Sequence, residues 1–152
     1  MNALIVYDTV YGNTEKVALA IAEGLKPSIP ARLEKAGQAR EIRLAGAALL
    51  IVGGPTHMGG MSEPLRAIVA ATQKGALRGV SVAAFDTRYH VPIEESGSAA
   101  EKVAPALREL GGELLVRPES FFVVGAEGPL EAGEIERAAK WGADVAAKAR
   151  QG

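Results

Sequence analysis

The chain has 152 residues, 48% of them hydrophobic, with 17 basic against 18 acidic side chains and no cysteine. That length carries one well-buried core and is too short for two ordinary domains. Balanced charge without a long run of one sign leaves no footprint for nucleic acid or an anionic membrane, and the missing cysteines exclude disulfide frameworks, thiolate zinc sites and cysteine nucleophiles together.

In chain order, Ala3–Tyr7 is almost wholly apolar, as a strand covered on both faces should be. It lacks the basic flank and length of a signal segment, and nothing approaches the apolar length of a membrane span, so a soluble, cytoplasmic protein is expected. Val17, Ala18, Ile21 and Leu25 recur with helical period, and Pro27 stops that helix. Ala31–Lys35 reads as a weak second strand, and Ala47–Val52 as a strong third ending in Gly53-Gly54-Pro55. Ser62 is the expected cap of a helix with Pro64 in its first turn and Leu65, Ile68 and Val69 on its inner face. Val80–Phe85 is the fourth strand. Ser98 and Glu101 have capping-box spacing before a helix carrying Val103, Leu107 and Leu110, closed by Gly111-Gly112. Leu114–Val124, broken by Pro118, contains the fifth strand, and Leu130–Ala149 reads as a last helix with Ile135, Ala138, Trp141 and Val145 inward.

Strands alternating with helical crossovers predict an open parallel sheet with helices on both faces, whose ligands sit beyond the carboxyl ends of the strands. The loops to read are therefore those after the first, third and fourth strands. The first of them, Thr9 to Thr14, runs into a helix whose free amide groups and partial positive charge face it. Gly12 permits close backbone approach, and Thr9, Asn13 and Thr14 offer short polar side chains. There is no Gly-Lys-Ser/Thr triplet and no GxGxxG, which disfavours nucleoside triphosphates and dinucleotides. Two readings fit: a terminal monophosphate held there, or a plain turn in which Asn13 caps the helix and Gly12 rounds the corner.

The run Ile5-Val6-Tyr7-x-Thr9-x-x-Gly12-x-Thr14-x-x-x-Ala18-x-x-Ile21 resembles the flavodoxin signature at every fixed position. Gly53-Gly54-Pro55-Thr56-His57-Met58-Gly59-Gly60 is similar to that family's loop after the third strand. Together with Ala84-Phe85-Asp86-Thr87-Arg88 and Pro118-Glu119-Ser120-Phe121-Phe122, it resembles a bacterial subgroup of flavodoxin-like proteins. The likeness spans the whole chain and lacks the long-chain insertion in the fifth strand. It implies one flavodoxin-like domain over residues 1–152, an α/β three-layer sandwich with a five-stranded parallel sheet of order 2-1-3-4-5.

The resemblance also implies non-covalent FMN. Thr9, Val10, Tyr11, Gly12, Asn13 and Thr14 would hold its phosphate, Pro55, Thr56, His57, Met58, Gly59 and Gly60 would lie against the ring, and Asp86, Thr87, Arg88, Tyr89 and His90 would form the third wall. In flavodoxins a carbonyl at the place of peptide Met58-Gly59 turns toward flavin N5 on one-electron reduction, which makes Gly59 the candidate redox tuner. Tyr11 and His57 depart from the pattern, standing where many flavodoxins have a phosphate-binding threonine and a stacking tryptophan; only Tyr89, beside His90, remains as the stacking aromatic after the fourth strand. Hydrogen bonds to a phosphate dianion, at about 1.5–3 kcal/mol each, do not by themselves offset an association cost of roughly 4–15 kcal/mol, so ring burial must supply the surplus.

No metal site is expected from two histidines without converging carboxylates, and Ser62, His57 and Asp86 lack the Gly-x-Ser-x-Gly elbow of a hydrolase. An FMN electron carrier docking a reductase and an acceptor protein is the favoured function. Near-neutral charge argues against it, because carrier flavodoxins are usually strongly acidic and such fields steer docking. The alternatives are a small NAD(P)H-dependent FMN quinone reductase, against which the short third loop argues, and a binding module that has lost FMN.

Overall fold

The computed structural model describes residues 1–151. The apolar run forms β1 (Ala3–Tyr7), buried at every position, and pairs in parallel with β2 (Ala31–Lys35) on one side and β3 (Leu49–Pro55) on the other. Strand β4 (Ser81–Tyr89) pairs with β3, and two short strands, β5 (Glu113–Leu114) and β6 (Glu119–Val123), share its outer edge. The order is 2-1-3-4-5, with β6 an additional strand on β4. Pro118 stands between β5 and β6; it has no N–H to give a ladder, which is why the expected single strand is split.

Helices cover both faces. Helices α1 (Asn13–Leu25) and α5 (Glu134–Gln151) bury Val17, Ile21, Leu25, Trp141 and Val145 against Ile5, Ile51 and Phe85. On the other face α2 (Glu63–Ala71) and α4 (Ala99–Glu109) bury Leu65, Ile68, Val103 and Leu107 against Leu4, Leu50 and Val82. Each such side chain withdrawn from water contributes about 1.5–3 kcal/mol. Gly24 and Gly142 let α1 and α5 touch: a Cβ on Gly24 would stand 1.9 Å from Ala139 O, and one on Gly142 would stand 2.4 Å from Ile21 O. No helix among the described residues is long and apolar enough to cross a membrane.

Several expectations are corrected. Strands β3 and β4 run past Val52 and Phe85 to Pro55 and Tyr89, so Asp86, Thr87, Arg88 and Tyr89 are strand residues. The side chains of Asp86, Thr87 and Arg88 find partners that local sequence does not reveal. A short helix α3 (Ile93–Ser96) follows, and α5 begins at Glu134 rather than Leu130, leaving Ile135 40% exposed. Ser98 caps α4 as expected, its Oγ accepting the Glu101 N–H at 3.2 Å. Ser62 flanks α2 but makes no cap bond; it donates to Asp8 Oδ2 at 2.6 Å instead.

Candidate functional site

The three loops converge at the carboxyl edge of the sheet. After β1, the Gly12 N–H donates to Thr9 Oγ1 at 3.0 Å, closing a tight turn. Gly12, with φ at 91°, takes the N-cap position of α1, a left-handed backbone that glycine adopts without penalty. A Cβ built there would meet nothing within 4 Å, so the space beside it is open. The first intrahelical donor is Lys16, whose N–H reaches Gly12 O at 3.1 Å. The amides of Asn13, Thr14 and Glu15 precede it and face the turn with the positive end of the helix dipole.

Glu15 would be the third helical residue of a capping box, but Thr9 already holds the Gly12 amide. Its carboxylate instead accepts the Tyr7 hydroxyl at 2.6 Å and lies 3.8 Å from Lys35 Nζ. Burial and this bond to a carboxylate push the Tyr7 phenol up to about 12. Asn13 is not the cap; it is the first residue of α1, and its Nδ2 donates to Glu127 O at 3.2 Å. The Thr14 hydroxyl is buried 2.7 Å from that of Thr87. Of the three polar side chains at this turn, Thr9 alone keeps its hydroxyl proton uncommitted beside solvent, while Val10 and Tyr11 are 66% and 58% exposed at the mouth.

The second loop leaves β3 through two crowded glycines: a Cβ on Gly53 would stand 2.4 Å from the Phe85 ring, and one on Gly54 would stand 2.4 Å from Leu65 Cδ1. Thr56 is tied at both ends, its N–H donating to Thr87 O at 2.9 Å and its Oγ1 accepting the Ala99 N–H at 3.0 Å. His57 and Gly60 then exchange main-chain bonds of 2.9 and 3.0 Å across Met58 and Gly59. Both central residues have positive φ, 48° and 82°, the pattern of a type I′ turn. Rotating the peptide between them in place would make a type II′ turn, whose first central position is glycine's. Resistance to that rotation therefore sits at Met58, not Gly59. Met58 is 94% exposed and His57 is also on the surface.

In the third wall, Asp86 is fully buried; its Oδ2 accepts the Ser98 hydroxyl and the Ala100 N–H at 3.0 Å, and its Oδ1 has no partner. It faces the start of α4, not the mouth of the site. Arg88 does not pair with it: the guanidinium donates to Ser120 Oγ at 2.9 Å, Val91 O at 2.9 Å and Ser96 Oγ at 3.0 Å, pinning α3 to β6. His90 stacks on Phe122 with centroids 3.9 Å apart and rings 6° from parallel, and its Nδ1 lies 3.0 Å from Glu131 Oε1. Tyr89, half-exposed, lines a cleft of about 420 Å³ together with His90, Val124 and Glu131.

A family model described as flavodoxin domain matches residues 4–125. The chain belongs to the flavodoxin family. A search of the curated proteins finds no match. Among solved structures, oxidised Flavodoxin 1 from Bacillus cereus superposes with a TM-score of 0.78 at 17% identity over 99% of this chain and 98% of its own. A flavodoxin from the domain Archaea gives 0.76 at 22% identity over 99% of both chains, and the flavodoxin, WrbA-like protein from Agrobacterium tumefaciens gives 0.75 at 23% over 99% and 98%. At these identities the superpositions speak for the fold.

Within this flavodoxin domain a fourth segment joins the site that the sequence reading missed. After β6 the chain folds back, with Val124 N–H on Pro129 O at 2.9 Å, and lays Gly128 against Asn13. A Cβ on Gly128 would come within 2.6 Å of the Asn13 amide. Gly125 and Gly128-Pro129 were the available turn signals, but nothing local says which loop they meet. Helix α4 offers a useful contrast to α1: its Ala99, Ala100 and Glu101 amides are all taken, by Thr56, Asp86 and Ser98. Among the described residues, no three His, Cys, Asp or Glu side chains are grouped to hold a metal.

Proposed function

We propose that this flavodoxin-family chain binds FMN without a covalent bond and passes single electrons between a reductase and an acceptor protein. The observation that carries the reading is the open amino end of α1: three unpaired amides and the Thr9 hydroxyl surround free space beside Gly12, while the equivalent end of α4 is sealed by side chains. Those groups suit a phosphate and need no lysine. Gly59 likewise has open space beside it, with Met58, Tyr11 and Tyr89 exposed around the mouth as apolar walls for a ring.

Bound FMN supplies the one-electron chemistry; the chain supplies position and environment. Thr9 and the α1 amides orient the phosphate end, and Tyr89 and Met58 shield the ring from water. The His57–Gly60 turn presents main-chain groups to the ring edge. Glu15 and Asp8, held by Tyr7 and Ser62, keep their carboxylates occupied away from an incoming anion.

Titrating FMN with the protein tests this. Quenching of flavin fluorescence to a saturable endpoint, followed by a reductive titration in two resolved one-electron steps, is the expected result. Prompt bleaching by NADPH or NADH without air and without a reductase would replace the carrier by the reductase. No quenching at all would leave a flavodoxin-like binding module.

A further inference from the structure

Thr87 is connected to the loops after β1, β3 and β4. Its hydroxyl lies 2.7 Å from that of Thr14 on α1, across 73 residues of sequence, and its carbonyl accepts the Thr56 N–H of the second loop at 2.9 Å. Arg88 and Tyr89, the next two residues, lead into the third. Thr14 and Thr87 are both buried, 2% and 4% exposed. Thr14 is the second residue of α1, and its own N–H is one of the amides facing the Thr9–Gly12 turn. Any shift of Thr14 moves the anion-binding groups themselves.

In a buried pair of hydroxyls one donates and the other accepts, and deleting either strands its partner. Two neighbours of Thr87 on its own face are apolar: Phe85, two residues earlier on β4, and its register partner on β6, Phe121, both fully buried. A Thr14 hydroxyl stripped of this partner is a buried group with a lost hydrogen bond, a cost that a shift of the first turn of α1 toward water would relieve.

We propose that Thr87 is the positioning residue of the site: through Thr14 it fixes the first turn of α1, through Thr56 the second loop, and so it sets how strongly the turn prefers a phosphorylated flavin over an unphosphorylated one. This rests on the FMN reading above. It assigns the discrimination to a buried side chain that acts through Thr14 and Thr56.

The test compares dissociation constants for FMN and riboflavin, read by flavin fluorescence, in the wild type, Thr87→Val, Thr87→Ser, Thr14→Val and the double variant Thr14→Val/Thr87→Val. Thr87→Val keeps the shape and removes the hydroxyl, and it is expected to weaken FMN about tenfold or more while riboflavin changes less than about threefold. Thr87→Ser restores FMN affinity to within about threefold, and the double variant loses less than the two single variants together because no hydroxyl is stranded. Equal losses for both flavins, or a serine variant no better than valine, overturn the proposal and leave the FMN reading standing. If Thr87→Val does not fold, the serine and double variants carry the comparison, and an FMN-to-riboflavin preference identical to wild type in both overturns it. A wild type that binds neither flavin overturns the FMN reading first, and this proposal with it.

Discussion

Gly97 and Gly59 meet main chain to main chain: a Cβ on Gly97 would stand 2.4 Å from both the Cα and the carbonyl oxygen of Gly59. The contact bridges the segment after α3 to the turn after β3, so two walls of the site are joined through residues with no side chains. Gly97 also has φ 71° and ψ −175°, a region that only glycine occupies comfortably. Gly97→Ala is expected to cost about 1–3 kcal/mol in backbone strain and to push the His57–Gly60 turn outward. Under the proposed FMN reading, affinity for FMN then falls by roughly tenfold or more. Unchanged affinity in a folded Gly97→Ala protein would show that the two walls act independently.

The α1–α5 seam gives a sharper stability test. Gly24→Ala would drive a methyl group to 1.9 Å from the Ala139 carbonyl oxygen, main chain against main chain, where no flexible side chain can give way. A loss of about 3 kcal/mol or more is expected, with a matching fall in the urea midpoint at unchanged slope. Gly37 is the control: its nearest neighbour in the same sense is Pro64 Cβ at 4.0 Å, and Gly37→Ala should change stability by less than about 0.5 kcal/mol.

Glu134 stands in for a missing strand at the sheet edge. Its Oε2 accepts the Phe122 N–H at 2.7 Å, and Arg137, bonded to Glu134 at 2.7 and 2.8 Å, donates to Ser120 O. Burial alone would raise this carboxyl, but hydrogen bonds from Arg137 and Phe122 N–H outweigh it and bring the net value below the ordinary 4.5. A carboxyl held below its unfolded value stabilises the fold fully above about pH 4.5, and that contribution fades as pH falls through the folded value. Glu134→Gln is therefore expected to cost about 1.5–3 kcal/mol at pH 7, with the gap to wild type closing in more acid solution. Urea unfolding between pH 3 and pH 7 measures it, and a gap that stays constant would mean the charge plays no part.

Much of the fold was legible because it is written in short-range periodicity. The wholly apolar Ala3–Tyr7 and the helical spacing of Val17, Ala18, Ile21 and Leu25 each need only their own neighbours to be read. The loops of the candidate site were legible for the same reason: Gly12, Gly59 and the Thr9–Thr14 spacing mark turns at strand ends. What failed was the assignment of polar residues. Asp86 and Thr87 looked like loop residues facing a ligand because they follow a strongly apolar strand, yet both are buried within β4. Ser62 looked like a cap because it precedes Glu63-Pro64, yet Asp8 claims its hydroxyl.

By itself the sequence determined most of the elements, their kinds and their order, and the position of small, glycine-marked turns at the strand ends, because each follows from local sterics and the period of apolar residues. Only the tertiary structure decided which polar groups are spent on one another: Thr14 with Thr87, Asn13 with Glu127 across 114 residues, and the Glu134–Arg137 pair on the β6 edge. The physical reason is that a buried polar side chain is stable only beside a partner that replaces its lost water, and that partner can come from anywhere in the chain.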